Sequence, residues 1–243
     1  MIESFQMIRL AVIVIALAAA VVAGGRASAE VTRHPCVPKR AEIRFKAADG
    51  TRLAGFRLGR GRTAVVLAHE VRGDACQWAS YARRLAGRGY LVISFDFRGY
   101  GDSQQRGGPA ANRLSADVTA AAKAARARGA RKVFAVGASM GGTAVIVAGA
   151  HTRPPLSGVI SLSGPAYFAA MSAIDVAPKL TVPILYVAGR LDEDFALDAQ
   201  RLYDATASRD KAVHILPGGS HGVELVRFDA QARGLVERFI RSH

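Results

Sequence analysis

Cysteine, tryptophan and acidic residues are scarce in this 243-residue chain, which holds two cysteines, one tryptophan and 19 Asp and Glu against 33 Lys and Arg. Cys36 and Cys76 are too few for a disulfide-dense miniature scaffold, and they offer no Cys/His cluster for a metal, so none is expected. The formal charge of +14 invites a nucleic-acid reading, but the basic residues, mostly arginine, are scattered singly. With no basic helix face and no aromatic-interleaved basic patch, nucleic acid is excluded as a partner. Internal repeats and low-complexity tracts are absent too, which removes solenoids and linker-rich arrays.

Long apolar runs are missing except near the start, where Leu10 to Gly25 is uncharged. Its apolar core, residues 10–23, falls short of the roughly 20 residues a membrane-spanning helix needs. It suits the hydrophobic region of a signal peptide, and Ala27-Ser28-Ala29 ahead of Glu30 supplies a small-x-small cleavage site. The expectation is a signal peptide over residues 1–29, export to the cell envelope, periplasm or medium, and no stable membrane insertion after cleavage. Removing Arg9, Arg26 and Glu3 with that segment takes the formal charge from +14 to +13 (14 − 2 + 1). Retention as an anchor is the alternative.

Residues 30–243 suffice for one sizeable domain with its own core and are too few for two comfortable ones. Apolar patterning predicts strands at 41–46, 52–58, 64–68, 91–96, 132–136, 158–162, 183–188 and 212–216. Helices are expected at 76–87, 114–128, 140–151, 196–207 and 223–242. The alternation implies βαβ crossovers and a mostly parallel eight-stranded sheet with helices on both faces, an α/β fold opening on an antiparallel hairpin. Such sheets gather functional groups beyond the carboxyl ends of their strands.

At one such end stands the stretch GASMG, residues 137–141, between an apolar run and a small-residue run. G-x-S-x-G alone is weak, since this composition yields about 0.15 copies by accident. Its context adds weight: a serine held at a strained angle on a sharp strand-to-helix turn requires glycines two residues either side, where side chains would collide. A serine hydroxyl is a poor nucleophile until an imidazole takes its proton, and the imidazole needs a carboxylate behind it. Asp192 and His221, on two later strand ends, follow Ser139 in the order expected for this turn. Asp194 is the alternative acid. An oxyanion hole would draw on the backbone N–H groups of Met140, directly after the serine, and Val71, in the loop after the third strand.

These features, with DFRGYGDS at 96–103, resemble the α/β-hydrolase superfamily over residues 41–243. In that superfamily the D-x-R-G-x-G-x-S segment is structural, so Asp96 and Arg98 are expected to brace loops. Glu70 stands where most such hydrolases have glycine and is similar to the dienelactone hydrolase family, whose nucleophile is however cysteine. Two roles are open to Glu70: pairing with Arg72 or Arg98, or reaching Ser139. Residues 164–182 are too short for a cap domain. The resemblance implies a cofactor-independent, carboxylesterase-like serine hydrolase acting on small to medium esters. A peptidase or amidase with the same triad, and a catalytically silent binding protein, are the alternatives. Oligomeric state is not legible. Glu70, Arg72 and Arg190, beside the oxyanion and acid loops, are candidate substrate contacts, the arginines for esters bearing a carboxylate. In an oxidising compartment Cys36 and Cys76 are expected to form a disulfide tying the N-terminal segment to the loop that carries Val71.

Overall fold

A computed structural model describes residues 34–108 and 112–243; the expected signal peptide lies outside the described residues. Among the described residues ten strands run in chain order: β1 (Glu42–Lys46), β2 (Arg52–Leu58), β3 (Thr63–Ala68), β4 (Leu91–Phe95), β5 (Lys132–Ala138), β6 (Gly158–Leu162), β7 (Tyr167–Phe168), β8 (Met171–Ser172), β9 (Ile184–Gly189) and β10 (Lys211–Leu216). Eight of them form one sheet in the order β1-β2-β4-β3-β5-β6-β9-β10, and β7 and β8 pair separately. From β4 to β10 every neighbour is parallel, while β2 runs antiparallel to both β1 and β4. All eight sheet strands coincide with those expected from apolar patterning.

The central strands are apolar on both sides because helices cover both faces. Along β3, Ala64, Val66 and Ala68 face one core while Val65 and Leu67 face the other. The first core packs under α2 (Leu114–Arg126), α3 (Met140–His151) and α5 (Glu193–Ala205), and the second under α1 (Ala79–Gly87), α6 (Val223–Phe228) and α7 (Ala230–Ser242). Buried alanines along α2 (Ala120, Ala121, Ala122, Ala124 and Ala125) leave little side-chain bulk between that helix and its neighbours. Phe134, fully buried in β5, packs edge-on against Phe239 of α7. Truncating a core aromatic of this kind costs about 3–5 kcal/mol.

The structure departs from the sequence-based expectations in several places, the first being the helix expected over 76–87, which opens as a 3₁₀ helix at Ala75–Trp78 before α1 starts at Ala79. The helix expected over 223–242 is two, because the Asp229 carboxylate accepts from the N–H groups of Gln231 and Ala232 and so starts α7 afresh. α5 begins at Glu193, directly after Asp192, three residues earlier than apolar periodicity implied. Between β6 and β9 the chain forms the β7–β8 hairpin, the four-residue α4 (Ala173–Val176) and a 3₁₀ turn, none of them expected individually, while this segment holds no cap domain, as expected.

Candidate active site

Ser139 occupies the turn between β5 and α3 with φ 49° and ψ −117°. A residue with a Cβ at such angles stores roughly 1–3 kcal/mol of strain, which its surroundings must impose. They do: the Ser139 N–H donates to the Leu162 carbonyl of β6 at 2.9 Å, and its carbonyl accepts from Thr143 at 3.2 Å. A Cβ at Gly137 would overlap the backbone of Gly141, and one at Gly141 would lie 2.7 Å from the His69 carbonyl oxygen. Only glycines let the helix fold back against its strand and under the loop after β3. Ser139 is 7% exposed.

The next two candidates come from the ends of β9 and β10. The Asp192 carbonyl accepts from Phe195 and Ala196, opening α5, and its N–H donates to Gly189. The Asp192 loop is stitched to the His221 loop by backbone bonds from Arg190 to Leu216 and from Leu191 to Gly218. His221 Nδ1 and Asp192 Oδ2 then stand 2.8 Å apart, with side-chain exposures of 31% and 12%. An ionised carboxylate only accepts, so Nδ1 carries the proton and Nε2 is left as the base. The Phe195 ring meets the imidazole edge-on at 4.4 Å. Asp194, the alternative acid, is exposed in the first turn of α5, and it is Asp192 that meets His221. A Cβ on Gly222 would sit 3.3 Å from the Ala138 Cβ, so the residue after His221 abuts the residue before Ser139.

The two expected oxyanion donors belong to the helix that follows Ser139 and to the turn after β3. Met140 heads α3, where first-turn N–H groups have no intrahelical acceptor and the helix dipole favours negative charge. Val71 lies in a turn closed by the Gly73 N–H on the Glu70 carbonyl, with Arg72 at φ 62°. His69, fully buried, anchors that turn: its Nδ1 lies 2.7 Å from the Glu70 carbonyl, and Nε2 accepts from the Phe97 N–H at 3.0 Å. Burial holds the His69 pKa below its ordinary value, which keeps the ring neutral and both bonds intact.

Asp96 and Arg98 lie in bracing positions. The Asp96 carboxylate takes the N–H groups of Ala75 and Asp102 and pairs with His34 at 3.0 Å, while Arg98 pairs with Asp117 and Asp49. The Cys36–Cys76 disulfide is present, with Cα atoms 5.7 Å apart, and fastens the N-terminal segment to the turn after Val71. Arg72 and Arg190 are exposed and form no ion pair among the described residues. Glu70 makes neither contact expected for it: it forms no ion pair with Arg72 or Arg98 and no hydrogen bond with Ser139 among the described residues. Its Oε1 accepts from the Val223 N–H at 2.6 Å, and Gln77 accepts from its N–H at 3.1 Å. Sequence reasoning missed Val223, Gln77 and Phe195, because Glu70 and Val223 are 153 residues apart and nothing local marks the pair. Among the described residues no group of three or more His, Cys, Asp or Glu is placed to hold a metal, and no helix is long and apolar enough to cross a membrane.

The sheet order, the glycine-flanked serine turn after β5 and the acid and histidine after β9 and β10 define the α/β-hydrolase fold. Residues 59–175 match the family described as serine aminopeptidase, S33. Solved structures share the fold at low identity. The esterase of Pyrococcus furiosus superposes with a TM-score of 0.70 at 18% identity, covering 83% of this chain and 91% of that one. A thermophilic esterase from Thermogutta terrifontis gives 0.69 at 16%, covering 83% and 98%. The enol-lactonase from Burkholderia xenovorans gives 0.67 at 18%, covering 81% and 99%. No curated protein matches the chain in sequence.

Proposed function

We propose that the protein is an exported serine hydrolase that cleaves small to medium carboxylic esters through an acyl-enzyme at Ser139. The observation that carries this reading is the 2.8 Å Asp192–His221 contact on loops that abut the strained Ser139 turn. In the cycle, His221 Nε2 takes the proton of the Ser139 hydroxyl as its oxygen attacks the ester carbonyl. The oxyanion is met by the N–H groups of Met140 and Val71, an arrangement whose single donors are worth about 3–4 kcal/mol in known cases. His221 returns the proton to the departing alcohol, and Asp192 stabilises the imidazolium in between. Water, deprotonated by the same nitrogen, releases the acid and restores Ser139.

The absence of a cap domain favours accessible ester groups over a deeply buried acyl chain. Export is supported by the disulfide, since such bonds persist in oxidising compartments. The match to a serine aminopeptidase family favours a second reading, peptide or amide cleavage by the same residues. Comparing kcat/KM for p-nitrophenyl butyrate and for aminoacyl p-nitroanilides, with Ser139→Ala and His221→Ala as controls, tests both. The ester is expected to be preferred, and each control to lose about 10³-fold or more. Anilide turnover exceeding ester turnover replaces the first reading with the second.

A further inference from the structure

The Glu70 side chain stands where the three loops of the site converge, although it belongs to none of the proposed chemical roles. Its Oε1 accepts the Val223 N–H at 2.6 Å, the first peptide of α6 and two residues past His221. Gly222, between them, sits at φ 53° and ψ −119° and lies so close that a Cβ there would overlap Glu70 Oε1. The same Cβ would lie 3.3 Å from that of Ala138, the neighbour of Ser139, so Glu70 and Ala138 meet on one side of Gly222. The backbone of Glu70 is itself fixed: its N–H donates to Gln77, its carbonyl accepts from Gly73 and lies 2.7 Å from the buried His69 ring, and Gln77 Nε2 lies 3.4 Å from Oε2. The residue after it is Val71.

We propose that Glu70 is a positioning residue, a strut that sets the distance between the oxyanion loop and the histidine loop through its acceptor bond to Val223. The inference rests on the ester-hydrolase reading above. What the strut supplies is a hydrogen-bond acceptor of fixed reach, with no proton transfer and no contact with the reacting atoms. α6 has six residues and cannot hold its own N-terminus rigidly. A freed Val223 N–H lets Gly222, the most permissive residue available, carry the imidazole away from Ser139. Displacements on the order of 1 Å in such a site cost up to about 10²-fold in rate.

Glutamine keeps an oxygen at the same reach and loses the charge, whereas alanine loses both, so the two substitutions separate geometry from electrostatics. With the full chain and a short-chain p-nitrophenyl ester, Glu70→Ala is expected to lower kcat about 30-fold with KM within twofold. Glu70→Gln is expected to stay within threefold of wild type, with the pH midpoint of kcat/KM unmoved. Val223→Pro removes the donor while suiting the first position of a helix, and is expected to reproduce the alanine defect even if Glu70→Ala fails to fold. Hydrogen exchange at the Val223 amide reads the strut without catalysis: protection is expected in wild type and Glu70→Gln. An unprotected Val223 amide in the wild type overturns the proposal even if the ester reading holds, and turnover absent in the wild type with protection intact refutes only the ester reading. Wild-type kcat in folded Glu70→Ala or in Val223→Pro overturns the strut. A Glu70→Gln protein as impaired as Glu70→Ala overturns it as well, because charge would then be the operative property.

Discussion

Replacing Cys36 and Cys76 together by serine isolates the contribution of the one covalent tether among the described residues. The bond joins positions 40 apart, and on the chain-entropy account closing a loop of this size lowers the entropy of the unfolded state by an amount worth about 4 kcal/mol at 25 °C. Native contacts around the tether remain after the substitution: His34 still meets Asp96, Val37 still packs in the core, and Asp96 still takes the Ala75 N–H. The loss should therefore appear as a change in the unfolded chain, with the folded structure retained. Unfolding entropy of about 2.1 cal/mol/K per residue, over a domain of this length, converts 4 kcal/mol into a Tm lowered by about 9 °C. Calorimetry of wild type and variant, each with and without reductant, measures it. The wild type should fall toward the variant when reduced, and the variant should ignore reductant. A shift under about 2 °C, or a variant still sensitive to reductant, refutes the reasoning.

The His34–Asp96 pair gives stability a pH dependence of defined sign. Burial opposes the His34 charge, but the hydrogen bond and charge of Asp96 prevail, and the His34 pKa is raised above 6.5. Its stabilisation is thus complete below 6.5 and fades as pH rises through the raised value, so urea midpoints should decline across that window in wild type and flatten in His34→Gln. Asp96, pushed below 3.8 in spite of burial by His34 and two backbone N–H groups, loses its contribution only as pH falls through that lowered value. Gly137→Ala puts a methyl into the Gly141 backbone and should cost more than about 2 kcal/mol by chemical denaturation; an unchanged midpoint would contradict the packing of the serine turn. For Arg72 and Arg190, exposed beside Val71 and Asp192, the preference for a carboxylate-bearing ester over its neutral analogue should drop severalfold in Arg→Ala variants at low ionic strength, and equal ratios in all proteins remove them from substrate recognition.

The fold is legible because its strands announce themselves twice, in their own composition and in the turn residues at their ends. Val133 to Val136 reads as a buried strand, and the glycines after it make sense only if a helix turns back at once. The acid and histidine can be found because a serine turn of this kind dictates the order of its partners along the chain, and Asp192 directly precedes α5 as a strand-end residue should. Contacts whose partners lie far apart in sequence carry no local pattern and escape such reasoning. Charge alone points Glu70 at the nearby arginines, yet its partner is an uncharged backbone N–H at the head of α6. The break at Asp229 is hidden for another reason: apolar periodicity continues across it, and only the capping carboxylate marks the new start. His34 has the sequence position of a terminal surface residue and is buried, since the disulfide and Asp96 draw the segment inward.

The central claim is that Ser139 is a nucleophile activated by His221, and covalent trapping tests it most directly. The purified protein is incubated with a fluorophosphonate probe, digested, and the modified residue located by mass spectrometry, alongside Ser139→Ala and His221→Ala. The account predicts a single adduct on Ser139, absent from Ser139→Ala and formed at least about 10²-fold more slowly in His221→Ala. A folded wild-type protein that leaves Ser139 unlabelled, or labels it equally fast without His221, would contradict it.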